Sequence, residues 1–271
     1  MAVYRLLRSW KSNMSDFYDT LGLDAQATIN SGYYNSFKFI SHLPLSLKKA
    51  ILNCNKKPLI TEIKIASPTL GIIRKNKDLT EIAKAMERGG ATAISVLTEP
   101  KHFKGSIDTL SEVRKAVKLP LLMKDIILNP IQVDVAANIG VDAVLLIQTL
   151  YDRGYGQITL DNMIEYVHVN GLEVLLEVHT NEEFKTAKKT KADIIGINNR
   201  NLANLKIDLN NTEKILKTNS FEGLIVVSES GINTPADLQL LSHAGASAFL
   251  IGSSIMLTEN VEEKVREFVN A

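Results

Sequence analysis

Two charged residues lie two positions apart in a mainly apolar run that extends from Leu59 to Ile65. Ser67-Pro68 closes the run, which is typical of a buried β-strand that ends near Lys64. Because side chains alternate along a strand, Glu62 and Lys64 must lie on the same face. Charged groups are rarely buried unless they are paired or used. This pair is therefore either a structural ion pair or part of a site.

The remainder of the chain repeats this design, with eight apolar runs alternating with segments of helical spacing. The runs form two interleaved series. One series is Ile94–Leu97, Val144–Ile147, Ile195–Ile197 and Phe249–Ile251, and the other starts at Pro58, Pro120, Leu172 and Leu224. Within each series the runs recur at roughly 50 residues, as expected for a reused supersecondary unit. Continuous aliphatic strands are typical of parallel sheets. We predict a single (β/α)₈ TIM barrel, with a doubly wound open sheet as the alternative.

The first 57 residues lack the repeat. We therefore predict an N-terminal helical extension over residues 1–57 that packs on a catalytic barrel over residues 58–271. Within the extension, Tyr4–Met14 has the spacing of a short amphipathic helix, which carries the only tryptophan, Trp10.

The rest of the extension is divided between an irregular segment and a second helix. Residues 15–44 contain the breakers Gly22 and Pro44, so we interpret them as irregular. Ser46–Asn53 has helical spacing, with Leu47, Ile51 and Leu52 on its apolar side.

Composition excludes several classes of protein. The formal net charge of the 271 residues is +1, so no global field favours nucleic acid or an anionic membrane. Cys54 is the only cysteine, so no intramolecular disulfide can form. No apolar run approaches the length of a membrane span, and the start lacks the apolar core of a signal peptide. We expect a cytoplasmic protein.

Nearly every predicted strand stops on a hydrogen-bonding or ionisable residue. In a (β/α)₈ barrel these ends meet on one rim, which is where active sites form. The concentration of polar groups on one rim favours an enzyme. The residues at the strand ends are Glu62, Lys64, Glu99, Lys124, Asp125, Gln148, Glu177, His179, Asn198, Arg200, Glu229, Ser230 and Gly252.

The last two strand ends predict a phosphate site. Ser230-Gly231 and Gly252-Ser253 place small residues with free backbone N–H groups after strands seven and eight. Barrels bind phosphate there, aided by the amino end of a short extra helix, for which residues 253–256 are suited.

Two lysines, Lys64 and Lys124, and two glutamates, Glu62 and Glu177, are expected to face one cavity. In an apolar barrel mouth the pKa of a lysine tends to fall and that of a glutamate to rise, which suits a general acid and a general base. Glu177, His179 and Asp125 have ligand chemistry, but no tight spacing supports a metal site, so we expect no metal.

Six segments then resemble the indole-3-glycerol-phosphate synthase family, in order over residues 45–270. They are Glu62/Lys64/Ser67/Pro68/Gly71, Leu122–Asp125, Leu176–His179, Ile195–Arg200, Ser228–Ile232 and Leu250–Ser254. The resemblance implies the tryptophan-biosynthetic ring closure of 1-(2-carboxyphenylamino)-1-deoxyribulose 5-phosphate, with loss of carbon dioxide and water. The resemblance implies a small phosphosugar substrate and no cofactor. It also implies other tryptophan-pathway enzymes as protein partners.

The resemblance also implies a role for each position. Lys64 would hold the substrate carboxylate, Lys124 would protonate the ketone oxygen, and Glu177 would act as base in the dehydration. Which lysine is the acid stays open. The supporting residues are Ser67, Ser230, Gly231, Gly252 and Ser253 for phosphate, Glu62, Asn198, Arg200 and Glu229 for orientation, and Phe103, Ile126 and Leu145 for the aromatic ring. Family members often carry phenylalanine where this chain has Ile126.

Two other functions could use the same residues. Another phosphosugar barrel enzyme, such as an isomerase or a Schiff-base aldolase, would use the same phosphate loops. A non-catalytic barrel would bind the phosphosugar without turnover.

Overall fold

The structure, a computed structural model, describes residues 16–37, 39–74 and 78–271. Its centre is a closed barrel in which each strand pairs in parallel with the next, and the last pairs with the first. The eight strands are β1 Leu59–Ile63, β2 Ala93–Leu97, β3 Leu121–Lys124, β4 Ala143–Ile147, β5 Glu173–Val178, β6 Ile194–Asn198, β7 Val226–Glu229 and β8 Ala248–Ile251. The predicted (β/α)₈ barrel is confirmed, and the open sheet is excluded.

The helices cover the outside of the barrel and its two ends. They are α1 Phe17–Asn30, α2 Leu47–Leu52, α3 Leu79–Gly89, α4 Ile107–Ala116, α5 Pro130–Ile139, α6 Gln148–Asp152, α7 Leu160–Val169, α8 Asn181–Ala187, α9 Asn210–Lys217, α10 Pro235–His243, α11 Ser253–Met256 and α12 Val261–Val269. A two-stranded hairpin, Ala66–Ser67 with Gly71–Ile72, follows β1. No helix in the described ranges is long and apolar enough to cross a membrane.

The interpretation of residues 15–44 as irregular is wrong, because α1 occupies Phe17–Asn30. Asp16 caps this helix by accepting hydrogen bonds from the backbone N–H groups of Tyr18 and Asp19. Gly22, which we interpreted as a breaker, lies inside the helix. A Cβ added to it would lie 2.6 Å from the Tyr155 ring, so glycine is needed there for close approach rather than for a turn.

The start and the middle of α1 form ion pairs with loops that follow barrel strands. Arg153 lies 2.7 Å from Asp16 and 2.9 Å from Asp19, and Lys101 lies 2.8 Å from Asp24. The helix therefore spans the rim formed by the carboxyl ends of the strands.

The second predicted helix is confirmed as α2, and it covers the opposite end of the barrel. Ser46 donates a hydrogen bond to Glu173, the first residue of β5. Leu47 and Ile51 are buried in the apolar cluster of the barrel interior. Leu52, predicted on the apolar side, is instead 63% exposed because it lies on the outer face of this short helix. The predicted helix Tyr4–Met14, with Trp10, lies outside the described residues.

Candidate active site

A cavity of about 400 Å³ opens at the carboxyl ends of the strands, between the barrel and α1. Every residue to which the family resemblance assigned a role contributes to its wall, whereas the strand-end residues Gln148 and His179 do not. The residues with an assigned role are Glu62, Lys64, Ser67, Phe103, Lys124, Ile126, Leu145, Glu177, Asn198, Arg200, Glu229, Ser230, Gly231, Gly252 and Ser253. The structure thus brings them together, while their individual roles remain proposals.

Four charged residues form one layer at the top of the barrel interior. Glu62, Lys124, Glu177 and Glu229 lie on β1, β3, β5 and β7, and alternate strands supply one layer of side chains in such barrels. Lys124 Nζ lies 3.1 Å from Glu177 Oε2 and 3.1 Å from Glu229 Oε2. The carboxylates are almost fully buried, so the layer is a shared ion cluster and not a set of separate surface pairs.

The expectation of a lowered lysine pKa is wrong for Lys124. Burial alone would lower it, but the carboxylates of Glu229 and Glu177 outweigh burial and raise the pKa of Lys124 above its ordinary value. Lys124 therefore keeps its proton, as an acid must before it reacts.

The two glutamates differ, because one ammonium cannot neutralise two carboxylates. Burial raises the pKa of Glu177, but the charges of Lys124 and His179 lower it more, so this carboxyl stays ionised, contrary to the expected rise. Burial and the neighbouring Glu177 charge raise the pKa of Glu229 to about 7, despite the opposing effect of Lys124. The cluster thus holds a base and a carboxyl that binds a proton readily.

Lys64 lies directly after β1, above this layer. Its Nζ is 2.6 Å from Glu62 Oε1, and its side chain is 16% exposed. The other Glu62 oxygen, Oε2, is buried and has no hydrogen-bond partner among the residues that the structure describes. The ion pair therefore lies at the cavity wall with Glu62 Oε2 still available as an acceptor. This favours a role in a functional site over a purely structural ion pair.

Gly196 on β6 sets the position of Glu229, and sequence reasoning did not assign it a function. A Cβ at this position would lie 2.1 Å from Glu229 Oε1 and 2.7 Å from Leu175 Cδ2. Only glycine permits this approach. Its signal in the sequence is a glycine inside an otherwise β-branched strand.

We expect Gly196→Ala to displace Glu229 from Lys124 and to lower kcat by ~10-fold or more, because the acid loses one of its partners. Overpacking should also cost about 1–3 kcal/mol of unfolding free energy. The matched control is Gly90→Ala. Gly90 has a φ of 97°, so alanine is strained there, but the added Cβ would lie no closer than 3.5 Å to its nearest neighbour, Val269. Gly90→Ala should lower Tm without changing kcat. Equal kcat for both variants would contradict this role of Gly196.

Arg200 joins two loops at the cavity mouth. Its backbone N–H donates to Asn198 Oδ1 at 2.9 Å, and its guanidinium donates to Thr69 Oγ1 at 3.3 Å and to Leu205 O at 3.2 Å. Burial lowers the pKa of Arg200, which the charge of Glu62 partly offsets. Arg200 thereby connects the loop after β1 to the loop after β6.

The short helix that the sequence suggested after β8 is present as α11, which begins directly after Gly252. In the loop after β7, Ser230 and Gly231 both have positive φ values, 67° and 86°. A Cβ on Gly231 would lie 2.5 Å from Ile207 Cγ2. Ser67 faces them from the hairpin, with its Oγ accepting the Leu70 N–H at 3.1 Å.

The apolar part of the wall contains more residues than the sequence suggested. The additional residues include Phe17, Leu21, Leu97, Ile147, Leu202, Leu205, Ile232 and Leu250. Phe17 and Leu21 were missed with α1, although their four-residue spacing after a capping aspartate was a usable signal. Glu99 has a structural function, because its carboxylate accepts the N–H groups of Lys101, His102 and Phe103 and so fixes the loop that carries Phe103.

Asp125 does not join the charge cluster. Its carboxylate accepts hydrogen bonds from Tyr34, Thr98 and its neighbour Ile126, and burial raises its pKa to about 6. Within residues 16–37, 39–74 and 78–271, no group of three histidine, cysteine or acidic side chains could hold a metal ion.

Comparison with known proteins identifies the family of this chain. The family model described as indole-3-glycerol phosphate synthase matches residues 25–268. The chain belongs to the indole-3-glycerol phosphate synthase family. An indole-3-glycerol phosphate synthase from Methanocaldococcus jannaschii is 42% identical over 261 residues, which are 95% of this chain and 90% of the relative. One from Caldanaerobacter subterraneus is 44% identical, with 82% of this chain and 83% of the relative covered.

This chain shares its barrel fold with more distant proteins. A thiamine phosphate pyrophosphorylase from Pyrococcus furiosus superposes with a TM-score of 0.58 at 18% identity, covering 82% of this chain and 96% of that one. At this identity the likeness shows the fold alone. The family assignment therefore rests on the family model and on the closer relatives.

Proposed function

We propose that this chain is an indole-3-glycerol-phosphate synthase. It converts 1-(2-carboxyphenylamino)-1-deoxyribulose 5-phosphate to indole-3-glycerol phosphate, releasing carbon dioxide and water, and is thus a carboxy-lyase of tryptophan biosynthesis. The observation that carries the proposal is the position of Lys124, whose Nζ lies 3.1 Å from both Glu177 Oε2 and Glu229 Oε2 in a cavity with an apolar wall. The reaction needs an acid and a base beside an aromatic ring, and no cofactor.

Binding uses three parts of the cavity. The phosphate lies on Ser67 and the two small-residue loops, Ser230-Gly231 and Gly252-Ser253, where backbone N–H groups suit an anion. Lys64 holds the aromatic carboxylate near the ketone. The ring lies against Phe103, Ile126 and Leu145, which line the cavity together with Leu21 of α1.

Condensation begins with acid catalysis. As the ring carbon that carries the carboxylate attacks the ketone carbon, Lys124 donates its proton to the ketone oxygen. A new carbon–carbon bond forms, and the ketone becomes a hydroxyl. Carbon dioxide then leaves, and the electron pair of its bond restores the aromatic ring. Neighbouring carboxylates stabilise the ammonium and hold it in place.

Dehydration follows and uses the base. The hydroxyl leaves as water after taking a proton from an ammonium group, and Glu177 accepts a proton from the methylene carbon next to the ring nitrogen, whose electron pair forms the new carbon–carbon double bond. Glu62, Asn198 and Arg200 orient the hydroxyls and the two lysines, with Glu229 in support. The lowered pKa of Glu177 keeps it ionised and therefore able to accept.

The charges around Lys124 argue against the alternative function as a Schiff-base aldolase. A lysine must lose its proton to attack a carbonyl, and enzymes achieve this by desolvation or by a neighbouring cation. Lys124 lies instead between two carboxylates, which raise its pKa. Borohydride with substrate should therefore trap no lysine adduct.

The phosphate loops give a direct binding prediction. Inorganic phosphate should compete with the substrate, raising KM without changing kcat, because it occupies the same backbone donors. Gly231→Val should raise KM by ~10-fold or more and abolish this inhibition, since its side chain meets Ile207 and strains a positive φ. Potassium chloride at equal ionic strength is the control. Unchanged KM in the variant would place the phosphate elsewhere.

Expression in cells tests the proposal as a whole. A strain that lacks this activity should grow without tryptophan when it produces this chain, and should not grow with the Lys124→Ala variant. We also propose a cytoplasmic location, with other tryptophan-pathway enzymes as partners. Growth that needs added indole in every case would contradict the proposed function.

A further inference from the structure

His179 is a buried, titratable group beside the charge cluster that the mechanism above does not use. It lies directly after β5, and its side chain is 5% exposed. Its Nε2 is 3.1 Å from Glu177 Oε1, and its Nδ1 is 3.7 Å from Glu183 Oε2. The first contact is an ion pair by distance, although the two groups are not aligned as a hydrogen bond.

The two oxygens of Glu177 are divided between two cationic groups. Oε2 lies beside the Lys124 ammonium at 3.1 Å, and Oε1 lies beside the His179 ring at the same distance. A carboxylate held at both oxygens has a fixed orientation. His179 is therefore placed to control both the angle and the charge of Glu177.

The surroundings of the ring favour its charged form. A neutral imidazole has a lone pair on one nitrogen, and here either nitrogen would direct it at a carboxylate. Burial would lower the pKa of His179, but Glu177 and Glu183 raise it to about 9. Glu183 cannot easily turn away, since it accepts hydrogen bonds from Thr149 Oγ1 and from the His179 backbone N–H, both at 2.6 Å.

The remaining neighbours of the ring do not reverse this preference. Tyr18 of α1 packs edge to face against it, with ring centroids 5.3 Å apart. Arg153 lies over the Tyr18 ring at 4.9 Å, so its charge is separated from His179 by an aromatic ring. Lys124 lies beyond Glu177. The groups nearest to the imidazole are thus two carboxylates and one neutral ring.

We infer that His179 is a positioning residue for Glu177, which it holds ionised and correctly oriented for proton transfer by sharing the carboxylate with Lys124. This inference rests on the proposed role of Glu177 as the base. It predicts that the charge of His179, and not only its volume, supports turnover.

The first test observes the ring in the unmodified protein and does not depend on activity. In NMR spectra of the chain with ¹⁵N-labelled histidine, assigned with a His179→Gln variant, both His179 nitrogens should carry protons at pH 7.5. Glu177→Gln should lower the midpoint of the His179 titration by ~1 pH unit or more, because one carboxylate is lost. A neutral His179 at pH 7.5 would overturn the inference while leaving the proposed function intact.

The second test uses kinetics with a matched control. His179→Gln keeps a donor near Nε2 but removes the charge, so kcat should fall by ~10-fold and the acidic limb of the kcat/KM profile should move up by ~1 pH unit, with KM little changed. His168→Gln is the control, because His168 pairs with Asp193 at 2.9 Å outside the cavity. It should leave the profile unchanged. A His179→Gln variant with lower Tm but an unchanged profile would show a merely structural residue.

Discussion

Replacing Lys124 with alanine is expected to lower the rate of indole formation by ~10²–10⁴-fold, because the proton donor is lost. Lys124 is the only ammonium within 3.1 Å of both Glu177 and Glu229 in the described residues, so no other described lysine can substitute for it. Lys84→Ala, at an exposed pair with Glu81 on α3, is the matched control and should retain full activity. A Lys124→Ala variant within a few-fold of the unmodified enzyme would contradict the assignment.

The same substitution should change the pH dependence of stability. It leaves the buried carboxylate of Glu229 without its ion-pair partner, and breaking a buried pair costs about 3–5 kcal/mol. Burial and the Glu177 charge already raise the pKa of Glu229 to about 7, and loss of the ammonium removes the effect that opposes this rise. The folded-state pKa of Glu229 then lies further above its unfolded value and protonation favours the folded state, so Tm should rise as pH falls from 8 towards 5. A Tm that falls over this range would mean that the ionisation of Glu229 does not depend on Lys124.

Replacing Glu177 with glutamine is expected to slow dehydration by ~10²-fold or more while slowing decarboxylation less. Condensation needs a proton on the ketone oxygen, whereas dehydration needs a proton removed from the methylene carbon next to the ring nitrogen. These demands fall on different groups, and Glu177 is the ionised carboxyl beside the acid. The amide keeps the shape and one hydrogen-bonding oxygen, so substrate binding should survive.

Single-turnover experiments can separate the two steps in this variant. Carbon dioxide should be released before the indole absorbance appears. If both appear together at an equally slowed rate, Glu177 acts in the first step or only holds Lys124. Asp125→Asn is a useful comparison, because its carboxylate lies outside the cluster and bonds to Tyr34 and Thr98. It should not separate the two steps.

The barrel and its rim could be predicted because their signals are local and repeated. Aliphatic runs at a fixed spacing predict parallel strands, and closure brings their carboxyl ends to one rim. The period of two along a strand then placed Glu62 and Lys64 together, as the structure finds at 2.6 Å. Each of these inferences requires only the direction of the strands, and none requires a distance between two residues.

The remaining features depend on contacts between distant segments. Gly22 looks like a breaker until the Tyr155 ring, which packs against it, is known. The direction of the Lys124 pKa shift depends on two carboxylates from β5 and β7, and sequence spacing does not show that both lie 3.1 Å from one ammonium. The sequence therefore revealed which groups share the cavity, and the structure revealed how their charges balance.

One measurement tests the central claim most directly. The purified chain is mixed with 1-(2-carboxyphenylamino)-1-deoxyribulose 5-phosphate, and indole fluorescence and released carbon dioxide are both quantified. We predict one carbon dioxide for each indole-3-glycerol phosphate formed, with no added metal or cofactor and no lysine adduct after borohydride. Substrate that binds but yields neither product, or a trapped lysine adduct, would contradict the proposal.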